Sequence, residues 1–169
     1  VLTVSGGHTL LTLAESFTKI KFLGTTIDDA AGEAFDKVAK MTGLGYPGGP
    51  KIQNAAANAI RKDVVFPIAN LKQDYHFSFS GLKTSVLRYV QKNFNGNPIP
   101  EEEINEIAFG FQDAVVKALI KNVEKAIKNY KPASISLNGG VAANSVIRQA
   151  LVDTGTRYGI PVVIPAFEY

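Results

Sequence analysis

The chain has 169 residues, 46% of them hydrophobic and 20% charged, with no cysteine and a formal net charge of +3. A single domain of this size buries roughly 70% of the surface its unfolded chain exposes, and the composition excludes a disordered, collagen-like or coiled-coil chain. The lack of cysteine excludes a disulfide framework, thiolate catalysis and sulfur-ligated zinc, while the mild positive charge permits a nucleic-acid partner without demanding one.

In chain order, VLTVSGGHTLLTLAES predicts a strand, a Gly6-Gly7 turn and a second strand, because β-branched and apolar residues flank a flexible pair. A third strand is expected at Lys21 to Leu23. The hairpin starts abruptly at Val1, as expected of a chain cut inside a larger protein, and shows neither the basic n-region nor the apolar stretch of a secretory peptide. Cytosol is the expected address, or an organelle if a preceding segment carries a transit peptide. From Asp28 the period becomes helical: Ala31, Ala34, Phe35, Val38 and Ala39 share a face, Asp28 is a candidate N-cap and Gly43 a stop. A second helix is predicted from Pro50, with Ile52, Ala55, Ala56 and Ile60 on one face.

After a polar, proline-containing loop, a helix is predicted near residues 81 to 94, carrying Leu82, Val86, Tyr89, Val90 and Phe94 at helical spacing. The longest helix is predicted from Glu101 to Tyr130, acidic at its start and basic near its end, which suits the helix dipole. Strand ASISLN, a Gly139-Gly140 turn, a helix over Ala142 to Thr154 and strand PVVIP then form a βαβ unit. Ligands of open α/β sheets collect at the carboxyl ends of the strands, where Asn138 to Asn144 would lie. No apolar run is long enough for a transmembrane helix.

Three glycine turns, Ser5-Gly6-Gly7-His8-Thr9, Pro47-Gly48-Gly49-Pro50 and Asn138-Gly139-Gly140, leave backbone open to close approach. Each is either a plain turn or an anion-binding nest. Neither a P-loop nor a dinucleotide fingerprint is present. Asp28, Asp29 and Glu33 read as a solvated face with a cap; Asp36, beside the apolar Phe35, lies nearer the core and could accept from ribose hydroxyls. His8 serves its turn or a ligand, and His76 reads as structural. Neither has metal-ligand spacing to a partner or an orienting acid for a triad. Around Ser78, Ser80, Lys83, Thr84 and Arg88, the alternating Tyr75, Phe77 and Phe79 suit either an edge strand before a capped helix or a nucleic-acid contact, the first being favoured.

The strings VSGGHTLL, IDDAAGEAFDKVAK, YPGGP, FSFSGLKT, IAFGFQDAVV and LNGGVAAN, in this order and spacing, resemble the tRNA N6-adenosine threonylcarbamoyltransferase family, TsaD in bacteria, across nearly the whole chain. The resemblance implies an α/β fold of the actin-like ATPase class, shared with sugar kinases and Hsp70, with residues 1–169 forming most of the second of two lobes. It implies a substrate or nucleotide site at Thr3, Val4, Ser5, Gly6, Gly7, Asp36, Gly49 and Asn144, and no covalent catalytic residue. The implied reaction moves a threonylcarbamoyl group from threonylcarbamoyl-adenylate to N6 of the adenosine 3′ of the anticodon, in tRNAs reading codons that begin with A.

Iron or zinc is the implied metal, held by residues outside this chain, and threonylcarbamoyl-adenylate or ATP/ADP the implied nucleotide. The implied partners are tRNA and small helper proteins, among them a paralogous non-catalytic subunit and an ATPase; no membrane is implied. With the family's metal ligands outside it, this piece alone is expected to be inactive. Many relatives carry an aspartate near Gln53, so the chain departs from the pattern at one ligand contact. The alternative is a non-catalytic nucleotide-binding or interaction module of the same fold. A protease, an older description of the family, has no constellation of residues behind it.

Overall fold

The computed structural model of the chain describes residues 1–165. Its strands are β1 (Leu2–Val4), β2 (Thr9–Ala14), β3 (Ile20–Thr25), β4 (Ile135–Asn138) and β5 (Val162–Val163). They form one sheet in the order β3-β2-β1-β4-β5. β2 runs antiparallel to β1 and β3, whereas β1, β4 and β5 are parallel, with Leu2 beside Leu137 and Ile135 beside Val162. The helices are α1 (Ala31–Met41), α2 (Gly48–Ala57), α3 (Ser80–Phe94), α4 (Glu101–Tyr130) and α5 (Ser145–Tyr158). Among the described residues none is long and apolar enough to cross a membrane.

Strand alternation sorts the sheet's two faces. Leu2, Val4, Leu11, Ile135 and Leu137 are buried, while Thr3, Leu10, Thr12 and Ser136 on the other face are only half-buried. The buried residues join the apolar stripes of the helices in a single core, where the rings of Phe35 on α1 and Phe111 on α4 meet edge to face at 5.1 Å. The 30-residue α4 has the bounds that its acidic start and basic end predict, with Ile107, Phe111, Val115 and Ile127 all buried.

Several boundaries differ from the sequence reading, each for a local reason. α1 begins at Ala31 with Ala30 at its N-cap and no side-chain cap. Asp28 instead reaches across to α3, where its carboxylate accepts from Ser78 Oγ at 2.5 Å, Phe79 N at 2.8 Å and Ser80 N at 3.3 Å. Asp29 is not solvated either: it lies between Lys37 and Lys83, each at 2.8 Å, and although burial alone would raise its carboxyl, the two ammonium groups outweigh it and lower it. α2 starts at Gly48, so Pro50 is its third residue, and it ends at Ala57, leaving Ile60 86% exposed beyond the helix. The last helix starts at Ser145, because a short 3-10 turn, Gly140–Ala143, intervenes and Asn144 is the cap.

The segment after α2 is fixed by one buried carboxylate. Glu106 of α4 accepts from the backbone N–H groups of Ile60 and Arg61 at 2.8 Å through Oε1, and of Lys62 at 2.6 Å through Oε2. Burial alone would raise this carboxyl, but the three N–H donors and the nearby Arg61 charge hold it below the ordinary carboxylate range. A folded-state value below the unfolded one contributes stability that is complete above the unfolded glutamate pKa of about 4.3 and is lost as pH falls through the folded value. Glu106→Gln is therefore expected to lower the melting temperature at neutral pH and to make its fall below about pH 4.3 shallower than in wild type. Thermal melts of both proteins across that range check it; parallel pH profiles would show that the carboxylate contributes nothing.

Candidate functional site

Three close backbone approaches gather the parallel strand ends and two helices. A Cβ on Gly32, in the first turn of α1, would lie 2.6 Å from the Ser5 carbonyl oxygen, and one on Gly48, at the start of α2, would lie 2.5 Å from the Phe35 carbonyl oxygen. A Cβ on Gly139, just after β4, would collide with the Val4 carbonyl. Glycine at these positions lets main chain touch main chain. The β1–β2 turn, the start of α1 and the β4 turn thus meet at the carboxyl ends of β1 and β4, while α2 seats on α1.

Beside them opens a cavity of about 350 Å³, whose lining includes Asp36, Tyr46, Gly49, Gln53, Gly140 and Asn144. Three of the residues expected from the sequence, Asp36, Gly49 and Asn144, are therefore brought together. Thr3 to Gly7 do not line it: they lie at the end of β1, where Thr3 pairs with Asn138. Their turn is closed by Ser5, whose N–H donates to the His8 carbonyl at 2.7 Å and whose Oγ accepts from His8 N at 3.0 Å. Gly6 and Gly7 are exposed, and their N–H groups donate to no described residue.

The polar residues of the cavity are fixed by the fold. Asp36 Oδ1 accepts from Gly48 N at 2.7 Å, tying α1 to the start of α2. Gln53 Oε1 accepts from Ser145 N at 2.8 Å, tying α2 to the start of α5. Asn144 is 6% exposed; its Oδ1 accepts from Val146 N and Ile147 N, and its Nδ2 donates at 2.8 Å to Oε1 of the buried Gln112. That side chain is an N-cap first and offers a ligand only its second amide hydrogen. Sequence reasoning missed Gln112, a polar residue inside the apolar stripe of α4, and Tyr46, which stands 79% exposed at the cavity.

The glycines here fall into two kinds. Gly6, Gly7, Gly49 and Gly140 have no atom within 4 Å of the place a Cβ would take, and none has the positive φ that favours glycine. Nothing inside the fold requires a bare backbone at these four positions, which suits a ligand approaching it closely.

Other sequence candidates lie elsewhere. His8 is exposed, and His76 Nδ1 is 3.0 Å from the Asp74 carbonyl oxygen. Tyr75, Phe77 and Phe79 are 8%, 2% and 0% exposed, so they are core residues and present no stacking surface to nucleic acid. Among the described residues no three His, Asp or Glu side chains converge as a metal centre. A second cavity of about 190 Å³, at the opposite end of the sheet near Val1 and Tyr130, has no charged side chain in its lining.

The family model for TsaD, tRNA N6-adenosine threonylcarbamoyltransferase, matches residues 1–169. The chain belongs to this family. Curated relatives carrying that name include those of Carboxydothermus hydrogenoformans (46% identical over 100% of this chain and 49% of the relative), Thermosipho africanus (48%; 100% and 50%) and Mesoplasma florum (42%; 99% and 53%). The chain thus spans about half the length of the curated TsaD relatives it matches. Among solved structures, T. kodakarensis HypF is similar, with a TM-score of 0.62 and 16% identity over 87% of this chain and 18% of HypF. That likeness concerns the fold alone, which is the α/β, actin-like ATPase type.

The cap geometry gives a stability expectation. Asn144→Ala removes two N-cap hydrogen bonds and strands the buried Gln112 oxygen, so it should cost about 1–3 kcal/mol of unfolding free energy. Urea denaturation reads this directly, and an unchanged midpoint and slope would contradict the assignment.

Proposed function

We propose that this chain supplies the nucleotide-holding part of a tRNA N6-adenosine threonylcarbamoyltransferase, with the cavity beside Asp36 receiving the nucleoside of threonylcarbamoyl-adenylate. The observation that carries the reading is the meeting of Asp36, Gly49 and Asn144 at one cavity in a chain of this family. Asp36 Oδ2 has no hydrogen-bond partner among the described residues and is placed to accept from a sugar hydroxyl. Tyr46 offers an exposed ring for packing against a base, and Gly49 and Gly140 leave room for the ligand against the main chain.

In the proposed reaction, N6 of the tRNA adenosine attacks the carbamoyl carbon of the adenylate. The bond from that carbon to the phosphate oxygen breaks, AMP leaves with the electron pair, and the amine loses one proton. The task of this chain is orientation: holding the AMP portion fixes the reacting carbonyl. The unpaired Gly6 and Gly7 N–H groups, at the carboxyl end of β1, are proposed to donate to the anionic portion of the nucleotide. On the same reading, the chain is most of the second lobe of a two-lobed cytoplasmic protein that works with tRNA and with helper proteins, including a paralogous subunit and an ATPase. The iron or zinc of such an enzyme is proposed to be held by residues outside this chain, as the family resemblance implies.

Two substitutions in the full-length protein test the site. Asp36→Asn keeps an oxygen to accept from Gly48 N but turns the other carboxylate oxygen into a donor. It should weaken AMP binding about tenfold or more while leaving the melting temperature within a few degrees of wild type, about the scale of one charge-assisted hydrogen bond lost to the ligand. Gly49→Ala should leave stability unchanged or slightly higher, since alanine is the better helix former by about 1 kcal/mol, and should weaken AMP binding through the intruding methyl. Calorimetric titration with AMP and formation of threonylcarbamoyladenosine in tRNA are the readouts. Wild-type affinity and activity in both variants would remove the cavity from the reaction.

A further inference from the structure

We propose that Gln112 of α4 is a positioning residue for the nucleotide: its side-chain carbonyl takes one hydrogen of the Asn144 amide and so fixes the direction of the other, which serves the ligand. This rests on the cavity being the nucleoside site and on Asn144 meeting the ligand there. Gln112 is 5% exposed and does not line the cavity, so its route to the ligand runs through Asn144. Three bonds orient the pair. Asn144 Oδ1 accepts from Val146 N at 3.0 Å and Ile147 N at 3.1 Å, and Asn144 Nδ2 donates to Gln112 Oε1 at 2.8 Å. Neither amide can be turned over without setting an NH₂ against a donor: Asn144 would face the backbone N–H groups of α5, and Gln112 would face Asn144.

The cap bonds alone leave the amide plane of Asn144 free to pivot about its oxygen. The bond to Gln112 removes that freedom, because in a planar NH₂ group the placing of one hydrogen places the other. Asn144 is itself 6% exposed, so an amide hydrogen released by the loss of Gln112 has little water to turn to and would swing the plane away from its present setting. α4 is well placed to impose this order. The ring of Phe111, the residue before Gln112, meets Phe35 edge to face at 5.1 Å, beside Asp36. Neighbouring residues of one helix thus brace two walls of the cavity, Phe111 the α1 wall that carries Asp36 and Gln112 the cap of α5. A donor held in place before the ligand arrives loses less freedom on binding than one that must be ordered.

Two substitutions separate positioning from mere support of the fold, because the two roles rank them oppositely. Gln112→Met keeps the length of the side chain and removes the acceptor. Gln112→Glu keeps an acceptor for Asn144 whether ionised or protonated, but sets a carboxyl where burial disfavours it. The full-length protein carrying each is titrated calorimetrically with AMP below its melting temperature, the fitted stoichiometry reporting the folded fraction. Gln112→Met should bind AMP about tenfold more weakly than wild type and Gln112→Glu within about threefold of it, although Gln112→Glu should melt at the lower temperature. In an Asn144→Ala background, Gln112→Met should weaken binding by less than about twofold further, because the route through Asn144 is already cut. Wild-type affinity in Gln112→Met, losses that follow the order of melting temperatures, or a full further loss in the Asn144→Ala background would overturn the role of Gln112 while leaving the nucleoside site standing. Failure of wild type to bind AMP would overturn both.

Discussion

The site depends on main chain lying against main chain without side chains between. At Gly32 and Gly139, the start of α1 and the turn after β4 contact the carboxyl end of β1, and at Gly48 the start of α2 rests on the backbone of α1 at Phe35 and Asp36. Any Cβ at these contacts would fall inside the van der Waals distance of a backbone atom, and interiors packed at crystal density have no slack to absorb it. Because Gly48 sits directly over Asp36, the Asp36 carboxylate reaches the Gly48 N–H, and the same contact brings Gly49 and Gln53 to the cavity wall.

Polar groups in the cavity then serve two purposes. Asp36, Gln53 and Asn144 each hold the start of a helix through an oxygen that accepts a backbone N–H. Those bonds satisfy N–H groups that helix starts leave without intrahelical partners, and they also hold the rotamers of the side chains that line the cavity. A preorganised site loses less conformational freedom on binding than a mobile one. The buried Glu106 extends this outward, since it pins the residues after α2 to α4 and so holds the helix that carries Gly49 and Gln53.

The strands, the five helices and the bounds of α4 were legible in the sequence, because period and end charges are local signals. The start of α1 was not. Asp28 has the look of its N-cap, yet its carboxylate serves α3 some 50 residues away, a partner chosen by tertiary packing. The end of α2 was misread for a similar reason: Ile60 continues the apolar spacing, but Glu106 captures the N–H groups that follow and ends the helix. Asp36, Gly49 and Asn144 were singled out through family resemblance, and the fold brings all three to one cavity. The double commitment of Asn144 was hidden because its partner Gln112 lies on another element, and Tyr46 carried no signal beyond standing before a Pro-Gly-Gly turn.

The central claim is that the fold presents a nucleoside site at the cavity between α1, α2 and the β4 turn. Its most direct test is the structure of the full-length protein with a non-reactive analogue of threonylcarbamoyl-adenylate bound. The account predicts the ribose within hydrogen-bond distance of Asp36 and the ligand lying against the main chain at Gly49 and Gly140. An analogue seated elsewhere, for example in the cavity near Val1 and Tyr130, with Asp36 facing only water, would contradict it.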